Sequence, residues 1–452
     1  MKADDPSQPS WNRRRFVSTS LAVGVPSWMS AEALPAETAA GAAREAGLLL
    51  TLGPLLGPVD HASAMVWMRA TVPGEYVLEV VSEGDGGVQR LPLSAMMDMD
   101  LCLHWHIEGL APSTRYQYRI WSGQTLVAGR PGQVISTEAA PGTPGRVRLA
   151  ISSCAREDDG SRAVWQRMAA ENVDAVVLLG DTPYIDSTDR EVQLRRHREF
   201  AAVEEYQQLL ASRPCWWTWD DHDFAGNDAS GLALGKAASR WVFSRYRPQH
   251  TYGVNGEGIF TRFRLGALEV FLLDTRWFAM TEASWADPVK PSFLGRVQWE
   301  WLRRGLLEST ASFKLLACGV IWDDKENSES DDWGTYGHER RALEAFIGEH
   351  RISGVVLAGG DIHASRVLRY ASRERVGYDL VQFIASPIHG ETIPSLNVYH
   401  PHLKRSAVEP HVFLRIDVDD TCSPARLESA LINRHGEVVF SYAMTADELK
   451  PA

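Results

Sequence analysis

Four apolar runs along this chain end abruptly in polar clusters, and no other feature constrains the fold as strongly. Val147 to Ser153 ends in Ser152-Ser153-Cys154. Ala175 to Leu179 runs into Gly180-Asp181-Thr182-Pro183-Tyr184. The aromatic run Trp216, Trp217, Trp219 opens onto Asp220-Asp221-His222-Asp223. Gly354 to Leu357 leads through Gly359-Gly360 to Asp361-Ile362-His363. Short apolar runs bounded by turn residues read as buried strands. Open α/β sheets gather their ligands at the carboxyl ends of such strands. The four clusters are therefore expected to meet in space although they lie far apart in the sequence.

Helical periodicity fills the gaps. Helices are expected at Arg162–Ala170, Glu191–Leu210, Gly235–Tyr246, Gly295–Leu307 and Glu339–His350. Further strands are expected at Ile259–Leu265, Leu268–Leu273 and Lys314–Val320, and in the tail at Tyr378–Ile384, Val412–Val418, Arg426–Ile432 and Val438–Tyr442. Alternating strands and helices argue for a layered α/β domain over residues 146–445. A Pro/Gly-rich linker at residues 138–145 separates it from residues 48–137, which read as all-β. There the pattern Gly109-Leu110-x-Pro112-x-Thr114-x-Tyr116-x-Tyr118 is similar to the corner of a fibronectin-type-III sandwich. His104 and His106 fall on one face of the preceding strand and read as a surface pair.

Residues 1–47 are a different kind of sequence. Arg13-Arg14-Arg15 precedes a short small-residue run from Ser18 to Trp28 and small-x-small sites near Ala33 and Ala36. This is the layout of a twin-arginine export signal, and it implies a periplasmic or secreted protein that engages the twin-arginine machinery. The run is too short and interrupted to cross a bilayer. The 452 residues carry 46 Lys+Arg against 58 Asp+Glu, a net charge of −12. With no long basic block, nucleic-acid coating and membrane-surface binding are poor fits. Five cysteines in a chain of this size are no disulfide framework.

Each cluster carries a chemistry. Asp181 offers a hard anionic oxygen able to bridge two cations, and Tyr184 lies close enough in sequence to reach the same metal. A phenolate near neutrality needs a strong Lewis acid, since free tyrosine titrates near pH 10; that favours a trivalent ion. Asp220, Asp221, His222, Asp223 and Asp228 crowd acidic and imidazole groups behind an aromatic run, which is costly to bury without a cation. In an extended segment Asp361 and His363 would point to the same side and serve neighbouring metals.

Taken together, Ser153-Cys154, Gly180-Asp181-x-x-Tyr184, Trp219-Asp220-Asp221-His222-Asp223, Asn227-Asp228, Leu272-Leu273-Asp274-Thr275-Arg276, Leu294-Gly295-x-x-Gln298-x-x-Trp301-Leu302 and Gly360-Asp361-x-His363 resemble the PhoD-like branch of the calcineurin-like metallophosphoesterases. The resemblance covers about residues 48–440. It implies a four-layer αββα metallophosphatase-type sandwich preceded by the fibronectin-III-like β-sandwich, and hydrolysis of phosphate monoesters or diesters by hydroxide attack at two metals. By the same resemblance a ferric ion would be held by Cys154, Asp181, Tyr184 and one of Asp361 and His363. A second ion, calcium, would take Asp181, Asp221, Asn227 and the other of that pair; zinc or manganese is the alternative metal. His222 would serve the leaving group and Arg276 the phosphate, unless Asp274-Thr275-Arg276 is a structural ion pair. Thr182-Pro183 departs from the Asn-Ile often found in the family, which removes one backbone N–H from this loop. A second reading is a phospholipase-D-like diesterase with Trp216, Trp217, Trp219, Trp299 and Trp301 at a lipid-facing mouth. A third is a non-catalytic binding protein, against which the intact ligand set argues.

Overall fold

The computed structural model describes residues 51–129, 132–322 and 331–451. The export signal expected in residues 1–47 lies outside the described residues. Eight strands form a β-sandwich at the N-terminus: β1 Leu52–Val59, β2 Ala64–Arg69, β3 Gly74–Ser82, β4 Val88–Ala95, β5 Cys102–Ile107, β6 Arg115–Ser122, β7 Thr125–Ala128 and β8 Val134–Ser136. One sheet has the order β1-β2-β5, the other β4-β3-β6-β7 with β8 paired to β6. Alternation decides which faces pack. In β6 Tyr116, Tyr118 and Ile120 are buried while Arg115, Gln117 and Arg119 face water, as a strand with one core face requires. The Tyr116 hydroxyl accepts the Ala111 N–H at 2.7 Å, the corner contact that the Gly-Leu-x-Pro-x-Thr-x-Tyr pattern implies.

Two larger sheets follow. The first joins β9 Arg146–Ser152, β10 Ala175–Leu179, β11 Cys215–Thr218, β19 Val412–Asp419, β20 Arg426–Asn433 and β21 Val438–Thr445 in the order β11-β10-β9-β19-β20-β21. The second joins β12 Thr261–Leu265, β13 Leu268–Leu272, β14 Phe313–Ala317, β15 Val355–Gly359, β16 Ser365–Arg369, β17 Val381–Ile384 and β18 Leu403–Ala407 in the order β12-β13-β14-β15-β17-β16-β18. β9, β10 and β11 run parallel, with Val177 opposite both Ile151 and Trp216. β13, β14, β15 and β17 do the same in the second sheet.

The sheets pack face to face through Leu149, Ile151, Val177 and Leu179 from one and Val270, Leu272, Leu315, Val356 and Phe383 from the other. Helices Gly295–Glu308 and Gly337–Glu349 cover the second sheet through Leu302, Leu306, Leu343 and Ile347. Helices Asp159–Ala170, Arg190–Ala201, Glu204–Leu210 and Lys236–Tyr246 cover the first through Val164, Trp165, Phe200, Tyr206 and Val242. The result is the expected αββα order.

One expected helix is two. Glu191–Leu210 is not continuous: it stops at Ala201 and restarts at Glu204, with Val203 in an extended conformation (φ −62°, ψ 116°). The break lets Phe200 and Tyr206 both turn onto Trp165, with ring centroids 6.4 and 5.4 Å away.

The sandwich rests on the first helical layer. Asp100 bonds Arg69, Arg198 and Tyr246. Trp67 Nε1 donates to the Arg245 carbonyl at 2.6 Å, and the Tyr118 hydroxyl to that of Ala211 at 2.7 Å. His104, expected at the surface, faces this contact instead, with Nε2 at 2.8 Å from the Arg245 carbonyl oxygen.

Candidate metal centre

Loops leaving β9, β10, β11, β15 and β17 close on one another where the two sheets meet. The Cys154 N–H donates to the Gly180 carbonyl (3.2 Å) and the Ala155 N–H to that of Asp181 (2.9 Å). The Gly360 N–H reaches Gly319 (2.7 Å) and the His389 N–H reaches the Cys154 carbonyl (3.0 Å). The backbone is forced into unusual shapes to do this. Cys154, Asp181, Asp361 and His363 all have positive φ, at 58°, 54°, 68° and 50°, a region sparsely used by residues other than glycine. Gly180, at φ +95°, allows the close approach: a Cβ there would stand 2.4 Å from the Asp220 nitrogen.

Three clusters expected from sequence do converge. Ligand atoms of Cys154, Asp181 and His363 lie within 4.8 Å of one another, as do those of Asp181, Asp221 and His222. Asp181 is common to both groups. Cys154 Sγ is 3.6 Å from Asp181 Oδ2, and the Tyr184 oxygen is 2.9 Å from His363 Nε2. The fourth cluster converges in a different way from the one expected. Residues 361–363 are not extended; Ile362 N–H bonds Gly360 and His363 N–H bonds Asp361 in successive tight turns. His363 is thereby carried to Cys154 and Asp181, while Asp361 presents its backbone carbonyl, 3.7 Å from Cys154 Sγ.

The electrostatics are those of a site that wants a cation. Asp181 Oδ1 and His363 Nδ1 are buried without a hydrogen-bond partner among the described residues, a costly condition for such groups. Burial, then the nearby Asp221 and Asp220 carboxylates, pushes the Asp181 carboxyl far above its ordinary range. Burial followed by Asp181 raises the Cys154 thiol, and burial followed by Cys154 raises the Tyr184 phenol. Burial lowers His363 to about 4, so the ring is a neutral donor of a lone pair. A thiol, a carboxylate, a phenol and an imidazole thus converge, and the orphaned atoms among them fit a bound metal ion.

On the other side of Asp181, burial works against the Asp221 charge. The Arg276 and His222 charges and the N–H groups of Asp228 and His222 outweigh it and hold that carboxyl low. Asp221 also groups with Asp228 and Asp331. Asn227 is exposed at the same turn. His222 Nδ1 is 2.5 Å from Asp186 Oδ1, an arrangement that leaves Nε2 for the site.

Arg276 departs from expectation. It is 1 % exposed, and its guanidinium is engaged by Asp220, by Asp331 Oδ2 at 2.8 Å and by the Ala229 carbonyl at 3.4 Å. Asp274 fixes this by accepting from Trp219 Nε1 and from the Arg276 and Trp277 N–H groups. Arg276 is thus a structural ion-pair residue, as the alternative had it, but its partners are Asp220 and Asp331 rather than Asp274, and it braces the β11 loop. The tryptophans also serve packing. Trp217 and Trp219 are fully buried, Trp216 and Trp299 nearly so, and Trp301 packs on Phe260 and Phe271, so they line no lipid-facing mouth.

Two residues escaped the sequence reading. Asp331 opens the Asp331-Asp332-Trp333 triplet, which mirrors Trp219-Asp220-Asp221. His389 stands 3.0 Å from the Tyr184 oxygen, five residues beyond the end of β17. The rule that polar groups after buried strands converge would have found it had the tail strands been followed to their ends.

Residues 149–416 match the model of the PhoD-like phosphatase family, and the chain belongs to that family. Alkaline phosphatase D of Bacillus subtilis (strain 168) is 26% identical over 314 residues, which cover 58% of this chain and 53% of that protein; the chain thus spans about half the length of this curated relative. Among solved structures, one of PhoD superposes with a TM-score of 0.71 at 20% identity, covering 87% of this chain and 88% of that one. Purple acid phosphatase PPD1 from yellow lupin (Lupinus luteus) seeds superposes at 0.65 and 13% identity, covering 87% and 74%. These two likenesses establish the metallophosphatase-type fold. No helix among the described residues is long and apolar enough to cross a membrane.

Proposed function

We propose that this chain is an exported, metal-dependent phosphoester hydrolase acting on phosphate monoesters, diesters or both. The observation that carries the reading is Asp181, shared by two ligand groups and holding a buried, unpartnered oxygen. Cys154, Tyr184, His363 and Asp181 would hold one cation. A soft thiolate beside a phenolate and an imidazole suits ferric iron better than magnesium or calcium. Asp181 and Asp221, with Asn227 or Asp228 and Asp331 at the rim, would hold a harder ion such as calcium. Such a pair supplies charge to hold phosphoryl oxygens and to acidify water.

The protein's own groups do the rest. His222, oriented through Nδ1 by Asp186, carries a proton on Nε2 to the departing oxygen. Asp220 and Arg276 hold the turn that presents Asp221 and His222. Residues 1–47 act as the twin-arginine leader, residues 48–137 as a separate sandwich and 146–445 as the hydrolase unit.

The test is metal analysis and a visible spectrum of the exported protein, with assays on an aryl phosphate, a bis-aryl phosphate and a phospholipid. Bound metal and chelator-sensitive hydrolysis of at least one ester are expected. A metal-free protein inert on all three would end the proposal. His222→Ala is expected to keep its metals and lose on the order of 10²-fold or more in kcat; a near-wild-type kcat would remove the proton-donor role. Cys154→Ser is expected to shift or abolish the visible band.

A further inference from the structure

His389 belongs to no motif of the expected site, yet it is fully buried against it. Its loop is stitched to the ligand loops at three points. The Ala385 N–H donates to the Gly359 carbonyl (3.1 Å), the Ile388 N–H to Ser153 (3.1 Å) and the His389 N–H to Cys154 (3.0 Å). The ring therefore has a fixed address. Its edge lies against His363, with centroids 4.5 Å apart and planes at 86°.

The two ring nitrogens have separate duties. Nδ1 is 3.0 Å from the Glu391 backbone nitrogen and accepts its N–H. A nitrogen that accepts carries a lone pair, so in this ring the proton resides on Nε2. Nε2 is 3.0 Å from the Tyr184 oxygen. The same oxygen is 2.9 Å from His363 Nε2, which is free to accept.

We propose that His389 is a positioning residue that donates its Nε2–H to the Tyr184 oxygen, aiming the phenol at Cys154, Asp181 and His363 and stabilising negative charge on it when a metal binds. This rests on the metal-dependent reading above and deepens it, because it assigns His389 to the support of a ligand rather than to the metal. A donor on one lone pair of the tyrosine oxygen leaves the other for the cation. Outer partners of this kind commonly govern affinity or activity by about 10–100-fold.

Two measurements decide it. The first uses metal-free protein with ¹⁵N-labelled histidine, the His389 signals being assigned by their loss in His389→Gln. Long-range ¹⁵N–¹H correlations are expected to show the Nε2–H tautomer. An Nδ1–H tautomer would overturn the proposal whether or not the protein proves to be a hydrolase. The second compares His389→Leu with His389→Gln, whose amide can replace the lost donor, in protein purified with its native metals. Leu is expected to retain the metals, to move the phenolate charge-transfer band to longer wavelength and to lower kcat on the order of 10-fold; Gln is expected to restore both. Loss of one metal equivalent in both variants would make His389 a ligand and overturn the proposal, as would a band and kcat unchanged in His389→Leu. A wild-type protein that binds no metal and cleaves no ester would instead sink the hydrolase reading, leaving the tautomer to judge His389.

Discussion

Gly180 and Arg276 show how single residues hold the centre together. Gly180 combines a left-handed backbone with a contact no side chain tolerates, since its added Cβ would meet backbone at 2.4 Å. Gly180→Ala is therefore expected to cost more than about 2 kcal/mol, within the range of overpacking and strain, and to lower metal content along with the melting temperature. Arg276 neutralises Asp220 in a setting with almost no water. Replacing it with leucine strands that carboxylate and is expected to destabilise the protein by about 3–5 kcal/mol, read as a lower urea midpoint. A phosphate-contacting arginine would behave differently: KM would rise with the midpoint unchanged. At this scale the sequence was readable where a residue type has few uses, as with Cys154, Asp181 and Tyr184. It was ambiguous at Arg276, because a guanidinium beside a carboxylate and one beside a phosphate have the same neighbours in sequence.

Elements bring these residues together through their ends more than through their lengths. β9, β10, β11 and β15 were legible as apolar runs because strands covered on both faces need no alternation. The break at Ala202–Val203 was not, since both halves keep helical composition. The acidic pair Glu204-Glu205, which opens the second helix, was the available signal, because carboxylates favour a helix N-terminus. The Asp361–His363 segment was misread for a related reason: two consecutive glycines free the backbone, and the resulting turns follow from contacts with the Ser153 and Gly319 loops. Helix Gly337–Glu349 illustrates how one side chain ties an element to a loop. The Glu339 carboxylate accepts from Ser284 Oγ, Ser292 Oγ and the N–H groups of Phe293 and Leu294 at 2.6–3.1 Å. Glu339→Gln turns an amide N–H₂ toward donors that need an acceptor. A loss of about 2–3 kcal/mol is expected, together with faster proteolysis within residues 284–294.

Across the whole molecule the sandwich and the α/β layers share polar contacts around Asp100 and Arg245, and one of them should respond to acid. His104 is held neutral at that contact, burial lowering it to about 4 from an ordinary 6.5. Between those values the unfolded chain binds the proton and the folded chain does not. Stability from this group is therefore intact above pH 6.5 and falls as pH drops toward 4, by at most about 1.4 kcal/mol per unit. The difference in stability between wild type and His104→Gln is expected to narrow by about 2 kcal/mol from pH 7 to pH 5, measured as urea midpoints; a constant difference would show that the ring does not titrate there. Sequence alone marked two histidines on one face of β5 and could not say which surface that face would meet.

The pairing of β9 with β19 has a further consequence. Arg146 and Asp419, 273 positions apart, lie side by side, so the strand that delivers Cys154 keeps an unpaired edge until β19 has been made and has folded onto it. A nascent chain halted before residue 412 would expose that edge. The first sheet is thus completed only by a segment made long after the strand it covers.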